Sequence, residues 1–238
     1  LVLVDGYSFL FRAYFAVKSN LKRADGTPVG ALYGFIRMLM KIISELEPTH
    51  LAVVFDCGKK TFTSEIATDY KANRPPAPQD LIPQFSLVRE AVKSLNIISL
   101  EKEGYEADDI IATIVKKSND FDEVFIVSSD KDLMQLIHDN IYLFDGIKHE
   151  KIDKNKVIER WGVEPEKLLD LLSLIGDNAD NVKGIPGIGP KTAADLLNKY
   201  GSLDNIYDNI NDIKQNSRRE NIKNNRDIVL SAKRLITL

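Results

Sequence analysis

The sequence predicts an α/β core with a mostly parallel sheet, followed by a helical C-terminal lobe. Three observations predict it. Five short apolar runs, "LVLV" (Leu1–Val4), "LAVVF" (Leu51–Phe55), "IISL" (Ile97–Leu100), "VFIV" (Val124–Val127) and "IYLF" (Ile141–Phe144), are mostly continuous rather than alternating, as in strands covered on both faces. Helical patterns lie between them: "ALYGFIRMLMKIISEL", "IPQFSLVREAVKSL", "EADDIIATIVKK" and "KDLMQLI", which is the alternation of a parallel sheet. After about Asp153 the texture changes to short helical units, "KNKVIERWGV", "PEKLLDLLSLIG", "GPKTAADLLNKYG" and "LDNIYDNI", punctuated by Gly and Pro. Nothing in that part reads as a strand. The expected division is a core over 1–153 and a lobe over 154–238.

Composition narrows the class. A chain of 238 residues, 44% hydrophobic and 28% charged, suits a globular protein of one large domain or two small ones. No apolar run is long enough to cross a bilayer, and "LVLVDGYSFLFR" has no signal-peptide pattern. The absence of an initiator Met points to a processed or trimmed chain. The single cysteine, Cys57, excludes an internal disulfide and fits a reducing cytoplasm. It lacks neighbouring Cys or His ligands for zinc and reads as a small filler. "YKANRPPAPQDLIPQF" reads as an exposed loop.

The acids carry the chemistry. Asp5 follows "LVLV", Asp56 follows "LAVVF", Asp130 and Asp132 follow "VFIVSS", and Glu106, Asp108 and Asp109 open the helix after "IISL". By itself the crowd at 106–109 fits a helix start, where the macrodipole favours carboxylates, as well as it fits a metal or catalytic site. In a parallel sheet, however, the carboxyl ends of the strands share one edge, where ligands bind. Four segments delivering acids to that edge predict an acidic pocket. Crowded carboxylates take up protons or bind cations, and all-oxygen ligands select Mg²⁺ or Mn²⁺. Two such ions about 3.5–4 Å apart suit phosphodiester hydrolysis.

The lobe adds "VKGIPGIGPKTAADLL" (Val182–Leu197), a Gly-Ile-Gly turn leading into a helix with Lys191 and Thr192 in its first turn. It reads as a helix-hairpin-helix turn, which grips duplex backbone without reading bases. "GDNADN" just before it adds Asp177 and Asp180. The net charge of −3 argues at first against a nucleic-acid partner. Setting the nine candidate metal carboxylates aside turns −3 into +6, an acidic site on a basic surface. Candidate phosphate contacts are Arg12, Lys71, Arg74, Lys183, Lys191, Arg218 and Arg219.

"LVLVDGYSFLFRAYFA", "GALYGFIRML", "THLAVVFD", "YKANRPP", "GYEADDIIAT", "SSDKDLMQL", "LIGDNADNVKGIPGIGPKTAADLL" and "YGSLDNIY" together resemble the 5′-nuclease family found at the N-terminus of bacterial DNA polymerase I, within the flap endonuclease superfamily. The motifs cover nearly the whole chain, in order. The resemblance implies a PIN-like core with a helical arch over about 70–95, and a DNA-binding lobe with a helix-hairpin-helix-type motif over about 182–197. It implies structure-specific, divalent-metal-dependent cleavage of 5′ flaps and 5′ ends to 5′-phosphate products, with water as nucleophile, for RNA primer removal, nick translation and repair. It makes Asp5, Asp56, Glu106, Asp108 and Asp109 the first metal site and its surroundings, and Asp130, Asp132, Asp177 and Asp180 the second. Lys71 and Arg74 become contacts to the scissile phosphate, Tyr70 a base-stacking aromatic and Arg12 a phosphate contact. Lys183, Gly187, Gly189, Lys191 and Thr192 belong to the duplex-binding turn, which in relatives also holds a monovalent cation such as K⁺.

Two departures stand out: Thr63 where relatives carry a basic residue, and Ser129 where Gly or Ala is commoner. The chain stops at "AKRLITL", before the family's domain normally finishes, and so reads as a fragment; the resemblance implies a polymerase domain in the same full-length chain. The expected setting is a monomer in bacterial cytoplasm, at the nucleoid, acting on DNA with 5′ flaps, nicks or 5′ ends and on RNA-primer hybrids. The alternatives are a stand-alone exonuclease, a non-catalytic DNA-binding module and a PIN-type ribonuclease. The full acid set argues against the binding module, and the hairpin turn with the arch segment against the ribonuclease.

Overall fold

A computed structural model describes residues 1–16, 21–58, 61, 66–67 and 69–238. The chain forms two compact units. One comprises Leu1–Thr61, Pro75–Leu133 and Asp139–Ile152; the other comprises Phe62–Arg74, Met134–His138 and Asp153–Leu238. Thr63 lies outside the described residues.

The first unit is built on six strands: β1 (Val2–Asp5), β2 (Leu51–Val54), β3 (Ile98–Leu100), β4 (Val124–Val127), β5 (Ile141–Asp145) and β6 (Glu150–Ile152). Their order is β3-β2-β1-β4-β5-β6. The first five run parallel, and β6 pairs antiparallel with β5. Among the described residues, four helices belong to this unit: α1 (Gly6–Ala16), α2 (Gly30–Leu46), α3 (Gln84–Ser94) and α4 (Ala107–Val115). Val2, Val4, Val53 and Phe55 of the sheet side meet Phe9, Leu10 and Ala13 of α1, Phe35, Leu39 and Ile42 of α2, and Val88 and Val92 of α3. Full burial stabilises by about 1.5–3 kcal/mol for each large side chain. The continuous runs of β1, β2 and β4 are therefore buried strand interiors, as their pattern predicts.

Strand order matters for the site. The chain lays β2 and β3 on one side of β1, then returns to lay β4 and β5 on the other. The carboxyl ends of β1 and β4 thus flank a topological switch point, where neighbouring connections diverge and leave a crevice.

Two elements have no counterpart in the sequence reading, and two readings need correction. The apolar pattern gives no signal for α1, whose aromatic-rich "GYSFLFRAYFA" has no acidic first turn or basic last turn. β6 has only Glu150, Lys151 and Ile152 and gives no apolar signal either. The segment after Asp130 forms a 3-10 turn, Asp132–Leu136, rather than an α-helix. β3 is an edge strand with Ile98 59% exposed, since a strand with one neighbour need not be covered on both faces.

The second unit contains α5 (Lys154–Trp161), α6 (Leu168–Ile175), α7 (Pro190–Tyr200), α8 (Leu203–Asp208), α9 (Asn216–Asn224) and α10 (Arg226–Ile236). Asp153 caps α5, its Oδ1 accepting from Lys156 N at 3.0 Å, and Ser202 caps α8 by accepting from Asn205 N at 3.2 Å. The apolar face of α10 (Val229, Ala232, Leu235, Ile236) is buried, as are Leu171, Leu172 and Leu174 of α6. The expectation of no strand here is overturned. Gly176–Asp177 (β7) and Val182–Lys183 (β8) pair antiparallel. Gly176 has φ +73°, and a Cβ on Gly184 would sit 2.1 Å from the Ile175 carbonyl carbon. Only glycines allow this close backbone approach. A two-residue ladder carries no periodicity, so nothing in the apolar pattern marks it.

Candidate functional site

In the α/β unit the acids converge at the switch point. Asp5 ends β1 and accepts from Ser8 N at Oδ1 (3.3 Å) and from Ser128 Oγ at Oδ2 (2.9 Å). Burial, and then the charge of Asp56, push its carboxyl up to about 7; the Ser128 hydroxyl opposes this and Asp130 adds to it. A cation binding there would displace that carboxyl's proton to solvent. Asp56, just past β2, accepts from Ala107 N at 2.8 Å, which ties the start of α4 to the end of β2. Glu106 and Asp109 form a capping box: the Glu106 N–H donates to Asp109 Oδ2 at 2.9 Å, and the Glu106 carboxylate caps the N–H of Asp109. Thr61 Oγ1 donates to Glu106 Oε1 at 3.2 Å. Asp108 lies between them in the first turn of α4. Asp130 Oδ1 accepts from Asp132 N at 2.9 Å, a tight turn that holds Asp132 only 8% exposed. The structure thus brings Asp56 and Asp130 each within electrostatic reach of Asp5, with the acidic end of α4 tied to Asp56.

Arg12, expected as a phosphate contact, forms an ion pair with Asp145 at 2.9 Å. Burial works against the charge on Asp145, but the N–H groups of Lys148 and Ile147 together with Arg12 hold its carboxyl below the usual range. Sequence reading misses two side chains in this unit. Ser128 bridges Asp5 and Asp130, accepting from Asp130 N at 3.1 Å. Arg89 of α3 donates to the Asp56 carbonyl at 2.8 Å and pairs with Glu101 at 2.7 Å.

In the helical unit Asp177 and Asp180 are buried, and each offers a carboxylate oxygen within 4.8 Å of the other's. Asp177 sits in β7 and Asp180 in the turn to β8. Arg74 donates through Nε to Asp180 Oδ1 at 2.9 Å, and its Nη2 reaches the same oxygen. Lys71 N donates to the Asp180 carbonyl at 3.0 Å, and Lys71 Nζ stands 4.8 Å from the centre of the Tyr70 ring. The glycine turn lies between β8 and α7. Ile185 and Ile188 are buried, Gly187 has φ +77°, and Asn221 Nδ2 donates to the Pro186 carbonyl. α7 opens at Gly189 with Pro190 in its first turn and no side-chain cap, so Lys191 and Thr192 stand beside uncapped backbone N–H groups. Lys183, Lys191 and Gly187 are solvent-exposed.

The chain thus combines a parallel α/β unit with carboxylates at its switch point, where such sheets bind ligands, and a helical unit with buried acids and a glycine turn. Comparison with known proteins identifies the family. Residues 1–162 match the family model for the 5′-3′ exonuclease N-terminal resolvase-like domain, and residues 163–238 match that for the 5′-3′ exonuclease C-terminal SAM fold. The chain belongs to the 5′-3′ exonuclease family. It is 48% identical to DNA polymerase I of Rhizobium leguminosarum and 40% identical to that of Bacillus caldotenax, in each case over 100% of this chain. It spans about a quarter of those relatives, 24% and 28% of their lengths. It is 45% identical to a 5′-3′ exonuclease of Aquifex aeolicus, over 88% of this chain and 72% of that protein. In fold it is similar to the T5 D15 protein co-crystallized with metal ions, with a TM-score of 0.83 at 22% identity, covering 99% of this chain and 88% of that one. The catalytic core of Rad2 in complex with DNA substrate follows with a TM-score of 0.61 at 19% identity, covering 99% and 78%.

Proposed function

We infer that the chain is a divalent-metal-dependent 5′-3′ exonuclease and 5′-flap endonuclease that hydrolyses phosphodiester bonds to 5′-phosphate products. The observation that carries this reading is the gathering of Asp5, Asp56 and Asp130 at the switch point, with Asp5 pushed up to about 7, in a chain of the 5′-3′ exonuclease family. Its donors are all carboxylate oxygens, the set that fits Mg²⁺ or Mn²⁺. In the α/β unit Asp5, Asp56, Glu106, Asp108, Asp109, Asp130 and Asp132 are the proposed ligands and their supports; in the helical unit they are Asp177 and Asp180. We assign two ions. When bound, they supply Lewis-acid charge to the phosphoryl oxygens and a nucleophile at neutral pH.

The side chains divide the remaining work. Lys71 and Arg74 place positive charge where it builds on the scissile phosphate in the transition state. Tyr70 stacks on an unpaired base. Ser128 orients Asp5 by donating to its Oδ2. Lys183, Gly187, Gly189, Lys191 and Thr192 hold duplex backbone through charge and open N–H groups, and the same turn is the proposed place for a K⁺ ion. Arg12 adds a phosphate contact. The segment 70–95, which includes α3, is the proposed arch.

The proposed substrates are 5′ flaps, nicks, 5′ ends and RNA-primer hybrids met in replication and repair, handled by a monomer in the bacterial cytoplasm. The relatives of which this chain spans about a quarter support a polymerase domain further along the same polypeptide. The Aquifex relative, of which it covers 72%, supports the second reading of a stand-alone exonuclease. The test is cleavage of a synthetic 5′-flap duplex in Mg²⁺ and in EDTA. Release of the 5′ strand in Mg²⁺ alone supports the reading, and equal release in EDTA refutes it.

A further inference from the structure

We propose that Asn73 and Asn181 are positioning residues that lock the loop bearing Tyr70, Lys71 and Arg74 onto the loop bearing Asp177 and Asp180, and so set where the Lys71 ammonium points. This rests on the reading of Lys71 as a catalytic cation.

Each loop sends one carboxamide to the other's backbone. Asn73 Nδ2 donates to the Asn178 carbonyl at 2.6 Å, and Asn181 Nδ2 donates to the Asp69 carbonyl at 2.8 Å. Between these two links lie the backbone bond from Lys71 N to the Asp180 carbonyl, 3.0 Å, and the Arg74–Asp180 ion pair. Four links of three chemical kinds join residues 69–74 to residues 178–181.

The backbone shows what the lock holds. Lys71 and Asn181 both adopt left-handed conformations, each with φ +58°. Asn tolerates that region; Lys seldom enters it. A side chain held there persists only where its surroundings enforce it, and such residues gather at functional sites. The left-handed turn at Lys71 delivers its N–H to Asp180, and the two carboxamides hold the loops at the separation that bond requires. Without them Lys71 relaxes toward the right-handed or extended basin, and its ammonium leaves its place. Rate falls steeply with displacement of a catalytic group, whereas the duplex-gripping turn at Gly187 and Gly189 contains none of these bonds.

The test uses Asn181→Gly, which keeps left-handed freedom and removes the donor, with Asn73→Ala as a second variant should the first fail to fold. Single-turnover cleavage of a 5′-flap duplex in Mg²⁺ should fall about 10- to 100-fold, while affinity for the same duplex in Ca²⁺ stays within about twofold, below the energy of one typical hydrogen bond. On a Lys71→Ala background the same change should cost almost nothing further, the signature of one residue acting through another. In EDTA, trypsin should cut faster after Lys71 in Asn181→Gly than in the wild type; Arg74 precedes Pro75 and resists cutting. Wild-type cleavage and proteolysis in Asn181→Gly, with Lys71→Ala strongly impaired, overturns the lock alone. Full additivity with Lys71→Ala also overturns it. A Lys71→Ala enzyme at wild-type rate removes the catalytic assignment underneath, and the proposal with it.

Discussion

Asp5 sits where burial and like charge both oppose its ionisation, and its carboxyl rises from 3.8 to about 7. In the folded protein without metal it therefore holds a proton between those values that the unfolded chain has already lost. Stability must fall as pH rises through that window, because the folded state binds more protons there. Thermal melts in EDTA across pH 4 to 7 check this: the gap in Tm between Asp5→Asn and wild type should widen in favour of the variant as pH rises. A gap independent of pH would contradict the account of Asp5. At the same scale Asp109 has two readings that coexist. Its carboxylate closes a capping box on Glu106 N, so part of its job is the helix start that acids favour. Asp5 and Asp56 were legible because each directly follows an apolar run. Ser128, Asn73 and Asn181 were not, because the atoms that give them meaning lie 123, 105 and 112 positions away in the chain.

Among the elements, the β7–β8 ladder departs furthest from the expected organisation. It positions Asp177, and it depends on Gly176 and Gly184, where an added Cβ would come within 2.3 and 2.1 Å of backbone atoms. Gly184→Ala should lower stability by about 1–3 kcal/mol through forced backbone displacement, measured by denaturant unfolding; unchanged stability would show that the ladder yields without cost. The glycine turn was legible as "GIPGIG" because Gly and Pro mark breaks between helices. Gly187 has φ +77° with open space around it, so Gly187→Val strains the turn without a steric clash. Duplex affinity in Ca²⁺ should drop about tenfold, the effect of removing one charge-assisted hydrogen bond to a phosphate. Unchanged affinity would count against this turn as a place where DNA binds. α1 leaves no legible period because its helical face, Phe9, Leu10 and Ala13, is embedded in aromatic residues on every side of the helix.

Across the whole molecule, the strand order explains why separate segments could be read together. β1 and β4 are neighbours although more than a hundred residues apart, and they are parallel; acids placed after each run must then emerge on one edge. The α/β architecture and its acidic edge were therefore legible from strand-then-acid punctuation alone. What touches what within the helical unit was not, since its loops are organised by side-chain-to-backbone bonds that leave no period in the sequence. The charge balance belongs to this scale too. With the nine candidate carboxylates set aside, the net charge of −3 leaves +6 on the rest of the chain, which suits a protein that handles a polyanion. The most direct measurement of the central claim compares wild type with Asp108→Ala on a 5′-flap duplex in Mg²⁺, with duplex affinity measured alongside in Ca²⁺. A fall in cleavage of at least about 10³-fold, with affinity nearly unchanged, is the predicted result for a residue serving transition-state charge rather than binding. Cleavage at the wild-type rate would contradict the assignment of the acidic edge as the metal centre.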